Sequence, residues 1–212
     1  NAIQTTGIRQ RRIAQDGVCA SDLCFDSAAQ LMSDMGIQAT DISALIFVSQ
    51  TPDFRQPNTS ALLQERLGLS KTTLAFDVNM ACSGYIYGLF LAYSIANLEA
   101  TKKVLLLVGE TMSRIVSKED RATALLFGDA GSATLIEKND IFGPSYFSLN
   151  TDGSGAHHLM IPGGGARIPS SDETLKSKKY HDGSARNSEQ FYMDGMEIFN
   201  FTMAEVPSDI LK

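Results

Sequence analysis

Short runs of almost uninterrupted apolar residues recur along the first half of the chain, about 30 residues apart, the length of one strand–helix–strand unit. Such runs are typical of strands that are buried on both faces. The stretches between them have the periodicity and the capping residues of helices. Strands that alternate with helices predict a parallel sheet with helices on both sides. The predicted strands are residues 44–50, 73–78 and 103–110, and the predicted helices are residues 21–35, 58–68 and 82–98.

The pattern changes beyond residue 130. The segment FGDAGSATLIEK predicts a glycine turn followed by a fourth strand at residues 132–137. Residues 161–190 are polar and rich in Gly and Ser, and loops of this length are uncommon unless they cover a site or move. Residues 190–206 have the amphipathic pattern of a helix. The second part of the chain is therefore expected to differ in organisation from the first.

Composition limits the kinds of molecule that the chain is expected to bind. The 212 residues carry a formal net charge of −6 and a sequence pI near 5.0, so we expect neither nucleic acid nor an anionic membrane as a partner. No apolar run reaches the roughly 18 residues of a membrane span. Three cysteines are too few for a disulfide framework, which favours a reducing, cytoplasmic location. Basic residues gather at residues 9–12 and 114–121; they are either solvated surface or a site for a phosphate-bearing substrate.

Cys82 stands where a predicted strand turns into a predicted helix that carries no charged side chain. The unpaired N–H groups and the dipole at a helix N-terminus favour a thiolate, and the same N–H groups could hold the oxygen of a tetrahedral intermediate. The alternative is that Cys82 is a small buried hydrophobic residue. Met80 replaces the first glycine of a hydrolase nucleophile elbow, which argues against a hydrolase. A helix that is apolar on every side is predicted to be buried, under more layers than this chain supplies.

Other chemically active residues give weaker signals. Cys19 and Cys24 lie five residues apart without nearby histidines, so the remaining ligands of a zinc site are missing. His157, His158 and His181 could each assist a cysteine in proton transfer, or they are ordinary loop residues. The glycine-rich segments GDAG and PGGGAR lack the spacing of a dinucleotide or phosphate loop.

Five segments together resemble one family, the β-ketoacyl-acyl-carrier-protein synthase III enzymes of the thiolase-like superfamily. They occur in the family's order and near its spacing, and the resemblance extends over nearly all of the chain. The segments around the cysteine and FGDAGSA are the most specific. They are TTGIRQRRIA (5–14), AFDVNMACSGYIYGL (75–89), LLLVGETMSRIVSKEDRATALLFGDAGSATLI (105–136), NTDGSGAHHLMIPGG (150–164) and FYMDGMEIF (191–199).

The resemblance implies a fold and a reaction. The fold is an α/β thiolase-like fold, layered α/β/α/β/α, whose two halves are duplicates. The reaction is a decarboxylative Claisen condensation that initiates fatty acid synthesis: Cys82 takes an acyl group from acyl-CoA and passes it to malonyl-acyl-carrier protein. Arg121 matches the family's CoA-binding arginine, and the acyl-pocket positions fall on Met112, Phe127 and Phe191. The resemblance implies no cofactor and no metal; acyl-CoA and malonyl-acyl-carrier protein are substrates, and the enzyme is a cytoplasmic homodimer.

Several features depart from the family's pattern. The histidine and the asparagine that drive decarboxylation have no match here, and none of the three histidines fills that role. Gln56 stands where the fatty-acid enzyme places a phenylalanine at the mouth of the neighbouring subunit's tunnel, so the acyl preference is left open. The alternatives are a related condensing enzyme of a specialised lipid or polyketide pathway, or a catalytically incomplete fragment. We expect residues 1–150 to form the first thiolase-fold half with the cysteine, and residues 151–212 to form a loop excursion and the first helix of an incomplete second half.

Overall fold

The computed structural model of the chain describes residues 2–139, 141 and 143–210. Contacts between Cα atoms divide these residues into two compact units. We call residues 13–111 and 129–147 the sheet unit, and residues 2–12, 112–128 and 148–210 the loop unit. The division by contacts follows the fold rather than the order of the chain, so each unit contains segments that are distant in sequence.

The sheet unit is built on one four-stranded sheet with the strand order β2-β1-β3-β4. Its first three strands are parallel, and each lies within three residues of its predicted bounds, as the apolar patterning requires. Helix α3 connects β1 to β2, helix α4 connects β2 to β3, and helix α2 precedes β1. The elements are α2 (Ala20–Met35), β1 (Ile42–Val48), α3 (Thr59–Arg66), β2 (Leu74–Val78), α4 (Gly84–Ala96), β3 (Lys103–Thr111) and β4 (Asp129–Glu137).

The sequence predicted the fourth strand without a direction, and β4 runs antiparallel to β3, pairing Thr111 with Asp129. A parallel neighbour would need a crossover, usually a helix, that carries the chain back along the sheet. Residues 112–128 form only a short 3-10 helix and turns, so the chain re-enters the sheet at the end where it left.

Both faces of the sheet bury apolar side chains. On one face, Leu45 and Phe47 of β1 pack beneath α2 and α3 in a core that includes Cys24. On the other face, Ile46 and Val48 pack against α4. This alternation is the period of two that a strand imposes on its side chains. The predicted covering of the sheet by helices on both sides is confirmed.

Helix α2 ends as predicted and begins differently. Gly36 follows it with φ 65°, a left-handed conformation that glycine adopts without strain. Cys19 is the N-cap residue, and the helix begins at Ala20, one residue before its predicted start. The reason is that the carboxylate of Asp22 accepts the backbone N–H of Cys19 at 2.7 Å, which fixes the residue before Ala20 as the last one outside the helix.

Helix α4 is shorter than predicted and is not buried on every side in this chain. Gly84, Gly88 and Ala92 lie against the sheet, whereas Tyr85 and Phe90 on the opposite side are 41% and 40% exposed. Small residues repeated every four positions make one narrow face that fits closely on a sheet, and the large residues project away from it. The large apolar side is therefore solvent-exposed here.

The loop unit contains only short elements before its last helix. The polar stretch 161–190 is more ordered than its composition predicted, since it contains one short helix and an antiparallel strand pair, β6 with β7. A second antiparallel pair joins β5 to β8. The elements are α1 (Ala2–Thr6), β5 (Leu159–Met160), α5 (Asp172–Leu175), β6 (Lys178–Lys179), β7 (Ala185–Arg186), β8 (Tyr192–Met193) and α6 (Gly195–Ile210).

In the part of the chain that the structure describes, no helix is long and apolar enough to cross a membrane.

Candidate active site

Cys82 lies in the turn that joins β2 to α4. The turn runs from the end of β2 at Val78 to Gly84, whose backbone N–H donates to the carbonyl of Ala81 at 2.7 Å. The side chain of Cys82 is exposed, and among the backbone hydrogen bonds of the described residues none uses its N–H group. The thiol and the adjacent N–H are thus both available to a substrate, which is the arrangement that a nucleophile with its own oxyanion contact needs.

Two glycines allow α4, the helix that follows the cysteine turn, to lie close to the sheet. A Cβ atom on Gly84 would lie 2.6 Å from Cγ1 of Val48, and one on Gly88 would lie 2.7 Å from Cδ1 of Leu106. Both distances are well inside van der Waals contact, so only glycine permits this closeness of α4 to the sheet. The N-terminal half of α4 is therefore seated directly on β1 and β3.

Helix α3 is anchored by the strand that leads to the same turn. The carboxylate of Asp77 in β2 accepts the backbone N–H groups of Thr59 and Ser60 at 2.7 and 2.8 Å. A negative charge that accepts two N–H groups at a helix N-terminus is stabilising through both the hydrogen bonds and the helix dipole. The strand that ends in the cysteine turn is therefore tied to a second helix.

The three cysteines have different environments. Cys24 lies fully buried in the core between α2 and the sheet, and burial, with the carboxylates of Glu110 and Asp53 adding to the effect, raises the pKa of its thiol to about 12. Cys19 is half-buried at the start of α2. Cys82 alone combines exposure with a strand-to-helix turn, so it remains the candidate nucleophile among the described residues.

Phe127 and Phe191 are brought together inside the loop unit. Their rings meet edge to face, with centroids 5.3 Å apart, and Phe191 is only 9% exposed. The backbone of each is held separately: the N–H of Phe191 donates to the carbonyl of Ile115, and Arg11 donates to the carbonyl of Phe127, both at 2.8 Å. Two of the three residues predicted to line the acyl pocket are thus in direct contact with each other.

Met112 begins the 3-10 helix Met112–Arg114 of the same unit, and its carbonyl accepts the N–H groups of Ile115 and Val116. The shared carbonyl ties Met112 to the segment on which Phe191 is anchored. The side chain of Met112 is half-buried.

Arg121 is exposed, but its backbone is fixed. Its N–H donates to Oγ of Ser184 at 3.1 Å, and its guanidinium carbon lies 3.6 Å from the position that a Cβ would take on Gly183, at the tip of the β6–β7 hairpin. An exposed guanidinium on a fixed backbone suits the recognition of phosphate or of a planar base.

The three histidines, which are the remaining candidates, all lie in the loop unit. The rings of His157 and His158 are in contact but tilted by 42°, with centroids 3.9 Å apart, and the carbonyl of His158 accepts the N–H of Asp194. His181 lies on the exposed tip of the β6–β7 hairpin. Across residues 2–139, 141 and 143–210, no three His, Cys, Asp or Glu side chains are grouped so that they could hold a metal ion.

Cys82 belongs to the sheet unit, whereas Met112, Arg121, Phe127 and Phe191 belong to the loop unit. Sequence reasoning missed two further residues of the loop unit, the buried ion pair Asp120–Arg186. Asp120 directly precedes Arg121, a candidate binding residue, and this position was a signal that could have indicated it. Arg186 lies in a polar stretch that gave none.

Comparison with known proteins finds a matching family model and curated relatives. Residues 76–155, which include the cysteine turn, match the family model of 3-oxoacyl-[acyl-carrier-protein (ACP)] synthase III. A putative 3-oxoacyl-[acyl-carrier-protein] synthase 3 of Campylobacter jejuni is 40% identical over 93% of this chain and 55% of its own length. A β-ketoacyl-[acyl-carrier-protein] synthase III of Caldanaerobacter subterraneus is 34% identical over 96% of this chain and 59% of its own.

Solved structures of similarly named proteins have the same fold as this chain. The crystal structure of a 3-oxoacyl-(acyl-carrier-protein) synthase III superposes with a TM-score of 0.93 at 36% identity, covering 98% of this chain and 62% of that one. A 3-oxoacyl-(acyl-carrier protein) synthase from Burkholderia xenovorans LB400 gives a TM-score of 0.83 at 39% identity, covering 98% and 58%. The chain therefore spans somewhat more than half the length of the proteins that it matches.

Proposed function

The chain belongs to the 3-oxoacyl-[acyl-carrier-protein] synthase III family and has its thiolase-like α/β fold, and on that basis we propose that the protein is an acyltransferase that initiates fatty acid synthesis. It condenses acyl-CoA with malonyl-acyl-carrier protein through an acyl-Cys82 intermediate. The resemblance seen in the sequence is confirmed as to family and fold. The observation that carries the proposal is the exposed thiol of Cys82 at the turn between β2 and α4, inside the segment that matches the family model.

The first step of the proposed reaction is transfer of the acyl group to Cys82. The thiolate attacks the thioester carbonyl of acyl-CoA, and the negative oxygen of the tetrahedral adduct accepts the backbone N–H of Cys82. The adduct collapses when its bond to the CoA sulfur breaks; the CoA thiolate leaves and takes a proton. The dipole of α4 stabilises negative charge at its N-terminus during this step.

The second step forms the new carbon–carbon bond. Malonyl-acyl-carrier protein loses CO₂, and the electron pair of the broken bond remains on the α-carbon. That carbon attacks the Cys82 thioester, and the Cys82 sulfur leaves with its electron pair, giving 3-oxoacyl-carrier protein and free enzyme. The thioesters and the lost CO₂ supply what the reaction needs, so we propose that no cofactor takes part.

The loop unit supplies the proposed binding residues. Arg121, exposed on a backbone held by Ser184, binds the nucleotide end of acyl-CoA. Phe127 and Phe191, with Met112 at the start of the neighbouring 3-10 helix, line the acyl pocket. The acyl-carrier protein and a second copy of the chain are the proposed partners, in the cytoplasm. A related condensing enzyme with another acyl preference would use the same residues.

Intact-mass spectrometry after exposure to a panel of straight, branched and aromatic acyl-CoAs tests the proposal. We expect one acyl adduct, which peptide mapping locates on Cys82 and which Cys82→Ser abolishes, while Cys19→Ser leaves it unchanged. The preferred adduct names the primer, and the product formed with malonyl-acyl-carrier protein separates fatty-acid initiation from a specialised pathway. An adduct on Cys19, or none from any acyl-CoA, refutes the assignment of Cys82.

A further inference from the structure

Asp120 and Arg186 form an ion pair inside the loop unit. Their side chains are 1% and 11% exposed, and Nη1 of Arg186 lies 3.2 Å from Oδ2 of Asp120. The two residues are 66 positions apart in the chain, one next to Arg121 and the other in the β6–β7 hairpin. Charges withdrawn from water to this degree persist only when each has its partner.

The guanidinium of Arg186 is held on more than one side. It lies over the ring of Tyr180, 3.9 Å from the centroid, and over the ring of Tyr192 at 4.6 Å. A flat, delocalised cation that stacks on aromatic rings while binding a carboxylate cannot be replaced by the point charge of a lysine without loss of the stacking.

The second carboxylate oxygen of Asp120 binds the residue that follows Arg121. Oδ1 accepts the backbone N–H of Ala122 at 2.9 Å, so the one carboxylate spans Arg121 and restrains the backbone around it. The hairpin adds three direct hydrogen bonds to the same segment. They run from Arg121 N–H to Ser184 Oγ, from Ala185 N–H to the carbonyl of Glu119, and from Ser117 Oγ to the carbonyl of Ala185.

We propose that Arg186 is a positioning residue for acyl-CoA recognition. Through Asp120 it clamps the segment 117–122 to the β6–β7 hairpin, and the clamp sets the backbone from which the exposed Arg121 reaches the nucleotide. This inference rests on the proposed function, because it takes acyl-CoA as the ligand of Arg121. It also gives the polar stretch 161–190 a role, since the hairpin within that stretch supports the nucleotide site.

The acyl pocket has supports of its own. Phe191 is fixed by its hydrogen bond to Ile115 and by the ring of Phe127, neither of which involves Arg186. Weakening the clamp is therefore expected to impair recognition of the nucleotide and to spare the acyl end. That asymmetry separates a positioning role from a general loss of structure.

The test compares two donors with the same acyl group, acyl-CoA and the matching acyl-pantetheine, which lacks the nucleotide. For Arg186→Lys we expect the rate of Cys82 acylation at subsaturating acyl-CoA to fall about tenfold, through KM and not through the maximal rate. With acyl-pantetheine the rate is expected to stay within about twofold of the wild type. Lys178→Met, which removes an exposed cation from the same hairpin, is the matched control and is expected to leave both donors unchanged.

A second measurement needs no substrate. Hydrogen exchange at the amides of Arg121 and Ala122, whose acceptors are Ser184 and Asp120, is expected to be faster in Arg186→Lys and unchanged in Lys178→Met. Unchanged exchange in Arg186→Lys refutes the clamp, and so does an equal loss of rate with both donors. A wild-type protein that accepts acyl groups from acyl-pantetheine and equally well from acyl-CoA shows that the nucleotide is not recognised, which overturns this inference but leaves the acyltransferase proposal standing. If neither donor acylates the wild type, both fail.

Discussion

The ring of Phe127 meets the ring of Phe191 edge to face, with an interplanar angle of 81° and centroids 5.3 Å apart. Phe127 ends the segment that carries Arg121, and Phe191 immediately precedes β8, so the contact joins two segments more than 60 residues apart in the chain. Because the pair is anchored by separate backbone hydrogen bonds, its geometry is fixed before any ligand arrives.

A double-mutant cycle measures this contact. Phe127→Leu and Phe191→Leu are expected to lower the free energy of unfolding less in combination than the sum of the two single changes, with a coupling of about 0.5–1.5 kcal/mol. Chemical denaturation of the four proteins gives the value. Phe199→Leu, at a ring that is 58% exposed on α6, is the control and is expected to change stability by less than about 0.5 kcal/mol. Strict additivity of the two changes would show that the rings do not interact.

Gly84→Ala tests whether the closeness of α4 to the sheet sets the cysteine turn. The added methyl group would meet Val48, so we expect a loss of about 1–3 kcal/mol in the free energy of unfolding and slower reaction of Cys82 with a thiol reagent or an acyl-CoA. Gly153→Ala is the matched control, because a Cβ there has no neighbour within 4 Å. If Gly84→Ala is as stable and as reactive as the control, the helix is free to shift and the turn is not fixed by packing.

The sequence predicted the elements of the sheet unit well because burial on both faces leaves a local mark. The runs around Leu45 and Leu105 contain nothing but apolar side chains, and such runs have few alternatives to a buried strand. The direction of β4 leaves no such mark. It depends on how residues 112–128 return the chain to the sheet, and that is decided by tertiary contacts.

The residues of the candidate site also divide into those that had a signal in the sequence and those that had none. Cys82 was found from the joint of a strand and a helix, which is a local pattern, and Arg121 and the pocket residues came from family resemblance. The pair Asp120–Arg186 had no local signature: its partners lie 66 residues apart, and the second sits in a stretch whose polarity indicated only an exposed loop. The exposed side of α4 agrees with the expectation from sequence that a helix apolar on every side needs more covering layers than this chain supplies.

Asp77→Asn tests the anchoring of α3 to the strand that leads to Cys82. An amide has a single oxygen to accept from Thr59 and Ser60, and it carries no charge to interact with the helix dipole. We expect the free energy of unfolding to fall by about 1–2 kcal/mol, measured by denaturant titration. Asp26→Asn, on the exposed side of α2, removes the same charge and is expected to have almost no effect. Equal effects at the two positions would mean that net charge, and not capping, is responsible.

Cys24 gives the molecule a stability that depends on pH. The thiol keeps its proton in the folded protein up to a pKa of about 12, whereas in the unfolded chain it loses the proton near the ordinary value of 9.0. Below pH 9 both states are protonated and the group adds no pH dependence. Above it the unfolded state binds fewer protons, so the free energy of unfolding falls as the pH rises, by up to about 1.4 kcal/mol per unit.

Other groups titrate in the same range, so the comparison is with Cys24→Ala, which lacks only this thiol. We expect the stability of the wild type relative to Cys24→Ala to decrease steadily between pH 9 and 11, which lies inside the range between the two pKa values of the thiol. In the native protein a thiol-alkylating reagent is expected to modify Cys82 and to leave Cys24 unmodified until the chain unfolds, because only the first is exposed. A constant difference in stability across this range, together with early alkylation of Cys24, would show that the core between α2 and the sheet admits water.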